Sequence, residues 1–197
     1  MKLFAALSTL VSLVGAPAVV RAQDLPAHPI TPGERAKWVG TSVYGPRSLT
    51  AGVFVAGIQT YTDWPEEWEH SWRGFGRRYV GRDAAIATSN SIEAALGSAW
   101  GEDPRYFRCS CDSLRDRAAN AAKLTFLARR ADGHLAPAWA RYAGTASGSV
   151  IQNAWLPPSL DEWQQVALRE GTAFAGRFVG NLWSEFWPDI RRHLPGK

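Results

Sequence analysis

The sequence predicts an all-α protein, a compact bundle of Gly/Ala-rich, closely packed helices with proline-punctuated connections. Three observations lead there. Apolar residues recur at spacings of three and four along most of the chain. Proline or a capping polar residue, followed by acids in the first turn, opens several of these runs. Strand alternation is scarce, and the repeated segments of ~10 alternating residues that an outer-membrane barrel needs are not found. With 197 residues, 46% hydrophobic and 20% charged, the composition is that of a folded chain and excludes a collagen-like fibre.

The first 22 residues read as a secretory signal. Lys2 gives a positive start, Leu3 to Val14 is apolar apart from Ser8, Thr9 and Ser12, and Val20-Arg21-Ala22 supplies a small-residue cleavage site. Pro17 interrupts the stretch, which argues against an uncleaved anchor. Cleavage removes Lys2 and Arg21 from 22 basic residues and leaves 20 against 18 acidic ones, a net charge of +2 that is too small to argue for nucleic acid. Residues 23–32 carry three prolines and read as a tether, followed by one helical domain over 33–197.

Within that domain, Thr31-Pro-Gly-Glu34 has the form of a capping box and predicts a short helical turn through Trp38. Pro46 to Tyr61 follows, although Val53, Phe54, Val55 and Ile58 would also suit a strand. Asp63-Trp-Pro65-Glu-Glu67 predicts a helix from Pro65 to Tyr79, and further apolar patterns span Asp83 to Trp100 and Ser113 to Arg130. Ala136 to Ala154 carries a broad apolar side of Trp139, Tyr142, Ala143, Ala146, Val150 and Ile151. The last helix runs from Leu160 to Trp187 and stops before Pro188.

Small side chains recur every four residues in these helices: Ala140, Gly144 and Gly148; Gly171 and Ala175; Gly176 and Gly180; Gly97 and Gly101. Glycine costs about 0.8–1 kcal/mol in a helix interior relative to alanine, so these faces predict close contact, either internal or with a partner. Arg141 and Arg177 lie in the same segments and favour a soluble or peripheral protein over one buried in lipid. Two aromatic stripes, Trp64, Trp68, Trp72 and Phe75, then Phe174, Phe178, Leu182 and Phe186, suit a core or a membrane interface. Arg73, Arg77 and Arg78 beside the first stripe suit solvent or lipid phosphates.

Chemical motifs are sparse. Glu67 and His70 form a single Glu-x-x-His spacing without the second pair a di-iron bundle needs, and no nucleophile elbow or phosphate loop is present. No catalytic residue, metal ligand or cofactor is assigned. Glu102, Asp103, Arg105 and, more distantly, Asn153 form either a structural corner stapled by ion pairs or a polar cleft. Cys109 and Cys111, separated by Ser110, form a disulfide, a redox pair, half of a metal site that the scattered histidines do not complete, or two inert thiols.

The runs Gly101-Glu-Asp-Pro-Arg-Tyr-Phe107, Asn153-Ala-Trp-Leu-Pro-Pro158 and Glu185-Phe-Trp-Pro-Asp-Ile190 resemble the landmarks of a family of exported bacterial envelope proteins with no assigned activity. The resemblance spans roughly Gly45 to Arg192 and omits the Cys-Ser-Cys insert. It implies an envelope address and no substrate or cofactor. The expectation is therefore a non-enzymatic protein, periplasmic or peripheral to the outer membrane, that packs, self-associates or touches a membrane. The alternative is an enzyme or small-molecule binder with its cleft at Glu102–Arg105.

Overall fold

Thr31 opens the first helix as its signature predicts. Its hydroxyl accepts from the Glu34 N–H at 3.3 Å, while the Glu34 carboxylate accepts from the Thr31 N–H at 2.8 Å. The structure, a computed structural model, describes residues 29–193, so the signal read at 1–22 and most of the 23–32 tether lie outside the described residues. Helix α1 (Pro32–Tyr44) runs past Trp38, because no proline intervenes before Gly45-Pro46. Pro46 then starts α2 (Pro46–Tyr61), which is helical despite its β-branched run.

The helix expected from Pro65 shrinks to a 3₁₀ turn, Glu66–Trp68, ended by Glu69 at φ 56°. Ser71 is the true cap, its hydroxyl accepting from the Gly74 N–H at 3.0 Å. From there α3 (Trp72–Trp100) continues unbroken through Asp83, whose carboxylate takes the Arg82 guanidinium at 2.8 Å instead of capping a new helix. Trp64 and Trp68 consequently sit in the turn, off the α3 face that carries Trp72 and Phe75. Gly101, at φ 71°, ends α3 in the left-handed conformation and so is a cap rather than part of a packing pair with Gly97.

A small sheet interrupts the helices. Strands β1 (Glu102–Asp103), β2 (Leu127–Arg130) and β3 (Leu135–Pro137) pair antiparallel in that order, with Glu102 opposite Arg130 and Ala128 opposite Ala136. This cuts the helix expected over 113–130 down to α4 (Leu114–Phe126) and delays α5 (Trp139–Ile151) until after Pro137. Strands of two to four residues are too short for alternation to register in the sequence. A 3₁₀ turn, Gln152–Ala154, follows α5, and α6 (Trp163–His193) passes through Pro188 instead of ending before it. Arg117 and Arg108 donate to the Glu185 carbonyl one turn earlier, at 2.5 and 3.0 Å, in the stretch that the proline loosens.

Helix α3 is the spine, packed against α1, α2 and above all α5, while α6 lies on α4 and α5. Ala140, Gly144 and Gly148 make the α3–α5 approach: a Cβ on Gly144 would come within 2.8 Å of the Ser89 carbonyl oxygen, and one on Gly148 would collide with the Ser89 hydroxyl. Gly97 meets Ala140 from the other side. The α6 glycines differ, since a Cβ on Gly171, Gly176 or Gly180 would meet nothing within 4 Å, and Ala175 is exposed as well.

The polarity of the bundle is inverted. Among the described residues the buried apolar side chains number ten, five of them alanine, against twelve polar or charged ones. In α2 the buried residues are Gly52 and Ala56, while Leu49, Val53, Phe54, Val55, Ile58 and Tyr61 face outward. In α5 the buried side is Ala140, Arg141, Gly144, Thr145, Gly148 and Ser149, and Trp139, Val150 and Ile151 of the broad apolar side are exposed. The apolar periodicity located these helices, and the apolar side it marks faces outward.

Candidate functional site

Two charged nodes hold the interior, and the close α3–α5 approach creates the first. Glu93 on α3 accepts from Arg141 Nε on α5 at 3.0 Å and from Arg177 on α6. Arg141 also ties the end of α4, donating from Nη1 to the Leu124, Thr125 and Leu127 carbonyls at 2.8, 2.9 and 3.2 Å. Burial pushes the Arg177 guanidinium down to about 10, with the Glu93 charge opposing it. Three helices thus share one carboxylate, whose cost of burial is met only because both oxygens are occupied.

Glu185, fully buried on α6, forms the second node. Its carboxylate accepts from Arg117 Nε at 3.1 Å, from the Tyr106 hydroxyl at 2.5 Å and from the Cys109 N–H at 3.2 Å. Burial, reinforced by the bond to Glu185, pushes the Tyr106 hydroxyl well above its usual range, which leaves it a donor. Arg117 reaches Asp189 at 2.5 Å, and that hydrogen bond holds the Asp189 carboxyl below its ordinary value. Cys109 and Cys111 are joined by a disulfide in the segment that lies over this node.

The polar corner is built as a set of staples. Glu102 accepts from the Ala140 N–H at 3.0 Å, placing an anion at the first turn of α5, and lies 3.3 Å from Arg130 on β2. Asp103 is clasped by Arg105, whose Nη2 donates at 2.7 Å, and Arg105 reaches Glu34 of α1 at 3.0 Å. Asn153 is not brought here: it lies beyond the far end of α5, where its side-chain oxygen accepts from Arg169. Arg78 is likewise turned away from any lipid, fully buried and donating to the Trp64, Pro65 and Glu69 carbonyls at 2.8–2.9 Å. His70 is exposed in the turn before α3, so Glu67 and His70 share no helical face.

The outer surface contrasts with all of this. From Ser48 to Thr62 α2 carries no charged side chain, and Phe54 and Tyr61 are 68% and 82% exposed. Trp72, 88% exposed, and Trp64 stand at the same end as Tyr61, and the outer face of α6 adds Val179 and Trp183 beside its exposed glycines. No helix among the described residues is long and apolar enough to cross a membrane.

No family model matches the chain, and no curated protein or solved structure matches it.

Two of the three landmark runs nevertheless meet in space: Tyr106 of the first donates to Glu185 of the last, and Arg108, just past the first run, lies 3.8 Å from Asp189. Asn153–Pro158 lies elsewhere, joined to α6 through Arg169. Glu93 and Arg117 were not singled out by sequence reasoning, and Glu185 entered only as the first residue of a landmark run. The one signal for Glu93 is a lone charge inside a run of small and apolar residues, Ser91-Ile-Glu-Ala-Ala-Leu-Gly97, whereas Arg117 follows Arg115 and Asp116 and has no such mark.

Proposed function

We propose that this chain is an exported, non-enzymatic protein of the bacterial cell envelope, in the periplasm or at the periphery of the outer membrane, that acts by seating an apolar helix face on a lipid surface. The observation that carries the reading is α2, which buries Gly52 and Ala56 and turns six large apolar side chains outward. A contiguous apolar face of this kind on a folded domain marks a surface that meets something apolar. At 16 residues α2 is ~24 Å long, shorter than the ~30 Å of a bilayer core, so it suits lying along an interface. Tyr61, Trp64 and Trp72 at its end are residue types that favour the boundary between lipid and water. Glu93, Glu102, Asp103 and Glu185 each have arginine or backbone partners, which supports a structural use of these acids.

Flotation of the mature chain, residues 23–197, with phosphatidylcholine vesicles tests this. The protein is expected to float with the vesicles, and Val53→Asp with Phe54→Asp is expected to leave it at the bottom of the gradient with an unchanged circular dichroism spectrum. A mature protein that is monomeric by light scattering and indifferent to vesicles overturns the reading.

A further inference from the structure

A cleft of about 340 Å³ opens beside the polar corner, at the edge of the small sheet. Its wall combines three guanidiniums, Arg35, Arg129 and Arg130, with the apolar surfaces of Ile30, Pro32 and Phe107. Volumes of this size fall at the low end of small-ligand sites, about 300–1,000 Å³.

The acids at this cleft are already engaged. Both oxygens of Asp103 accept from Arg105, and Asp132 accepts from the His134 N–H at 3.0 Å while facing its ring at 3.4 Å. Arg130 is engaged too, with the Trp100 carbonyl at 2.6 Å and Glu102 at 3.3 Å. Two cations are left. Arg35 is 8% exposed, donates from Nη2 to the Gly97 and Glu102 carbonyls, and among the described residues has no ion-pair partner and no hydrogen-bond partner for Nη1. Arg129, half-buried on β2, makes no ion pair among the described residues either, and its guanidinium lies 5.6 Å from the centre of the Phe107 ring. Gly133, at φ 89°, lets the β2–β3 turn pass beneath it, where a Cβ would come within 3.4 Å of Arg129 Nη2.

We propose that this cleft binds a small organic carboxylate with an apolar or aromatic body. Arg129 meets the carboxylate with its planar fork of donors. Arg35, largely buried in the wall itself, adds a positive charge that no described side chain takes up in a direct ion pair. Phe107, Ile30 and Pro32 cover the apolar body. The proposal is independent of the lipid reading, because α2 contributes nothing to the cleft.

Titration of the mature protein with benzoate, followed by calorimetry and thermal denaturation, tests it. Benzoate is expected to bind saturably and raise the melting temperature, whereas benzamide, of the same shape and uncharged, does neither. Arg129→Gln is expected to weaken benzoate about tenfold to a hundredfold, with Arg129→Lys intermediate and Arg73→Gln without effect. Should Arg129→Gln fail to fold, Phe107→Leu gives a second readout: weaker benzoate binding with acetate binding unchanged. Equal binding of benzoate and benzamide, undiminished binding by Arg129→Gln, inorganic phosphate binding as tightly as benzoate, or no saturable binding at millimolar concentration each overturns the proposal.

Discussion

Arg141 does the work at the centre of this bundle that a leucine does in most others. It joins α5 to α3 through Glu93 and closes the end of α4 through three carbonyls. Such a group is stable inside only while its partners remain. Glu93→Ala is therefore expected to destabilise the protein by about 3–5 kcal/mol in urea denaturation, since it strands Arg141 and Arg177 together. A triple change of Glu93, Arg141 and Arg177 to apolar residues of similar volume is expected to lose far less, because it removes the charges rather than orphaning them. The sequence marked Arg141 and Arg177 as charges inside otherwise small and apolar segments. It did not mark their partner, because Glu93 lies 48 and 84 positions away and no local rule spans that distance.

At the scale of elements, helix existence was legible and helix ends were not. Thr31, Pro46 and the apolar spacing of α4 and α5 announced their helices, whereas Pro65 and Pro188 gave false boundaries: one stands in a 3₁₀-flanked turn and the other inside a helix. The three-stranded sheet escaped notice because its strands are held by pairing and by the Gly133 turn rather than by their own pattern. The small-residue faces divide into two kinds that the sequence could not separate. Gly144→Val, aimed at the Ser89 and Glu93 backbone, is expected to cost about 1–3 kcal/mol or more in thermal or urea unfolding. Gly176→Ala, aimed into open space on α6, is expected to stabilise by about 0.5–1 kcal/mol in the same measurement. A loss of stability in Gly176→Ala matching that of Gly144→Val would show that α6 is covered in solution.

At the scale of the molecule, the all-α bundle was readable and its polarity was not. Periodicity reports that a helix has an apolar side without saying whether that side faces the protein or its surroundings, and α2 and α5 take the outward choice. The corner at Glu102–Arg105 was likewise found as a group of charges, while its pairing with Glu34, Arg130 and the start of α5 depended on tertiary contacts.

The inverted interior also has a calorimetric consequence. Exposing apolar surface on unfolding raises the heat capacity and exposing polar surface lowers it, which gives ordinary domains about 12–15 cal/mol/K per residue. Here Leu49, Phe54, Ile58, Trp72 and Trp163 are already wet in the folded monomer, and unfolding releases Arg35, Arg78, Glu93, Arg141 and Glu185 instead. Scanning calorimetry of the monomer is expected to return a heat-capacity increment below that range, and an increment within it would mean that the apolar faces are buried in solution. A small increment flattens the stability curve, so the fold would hold nearly constant, modest stability from the cold to warm growth temperatures.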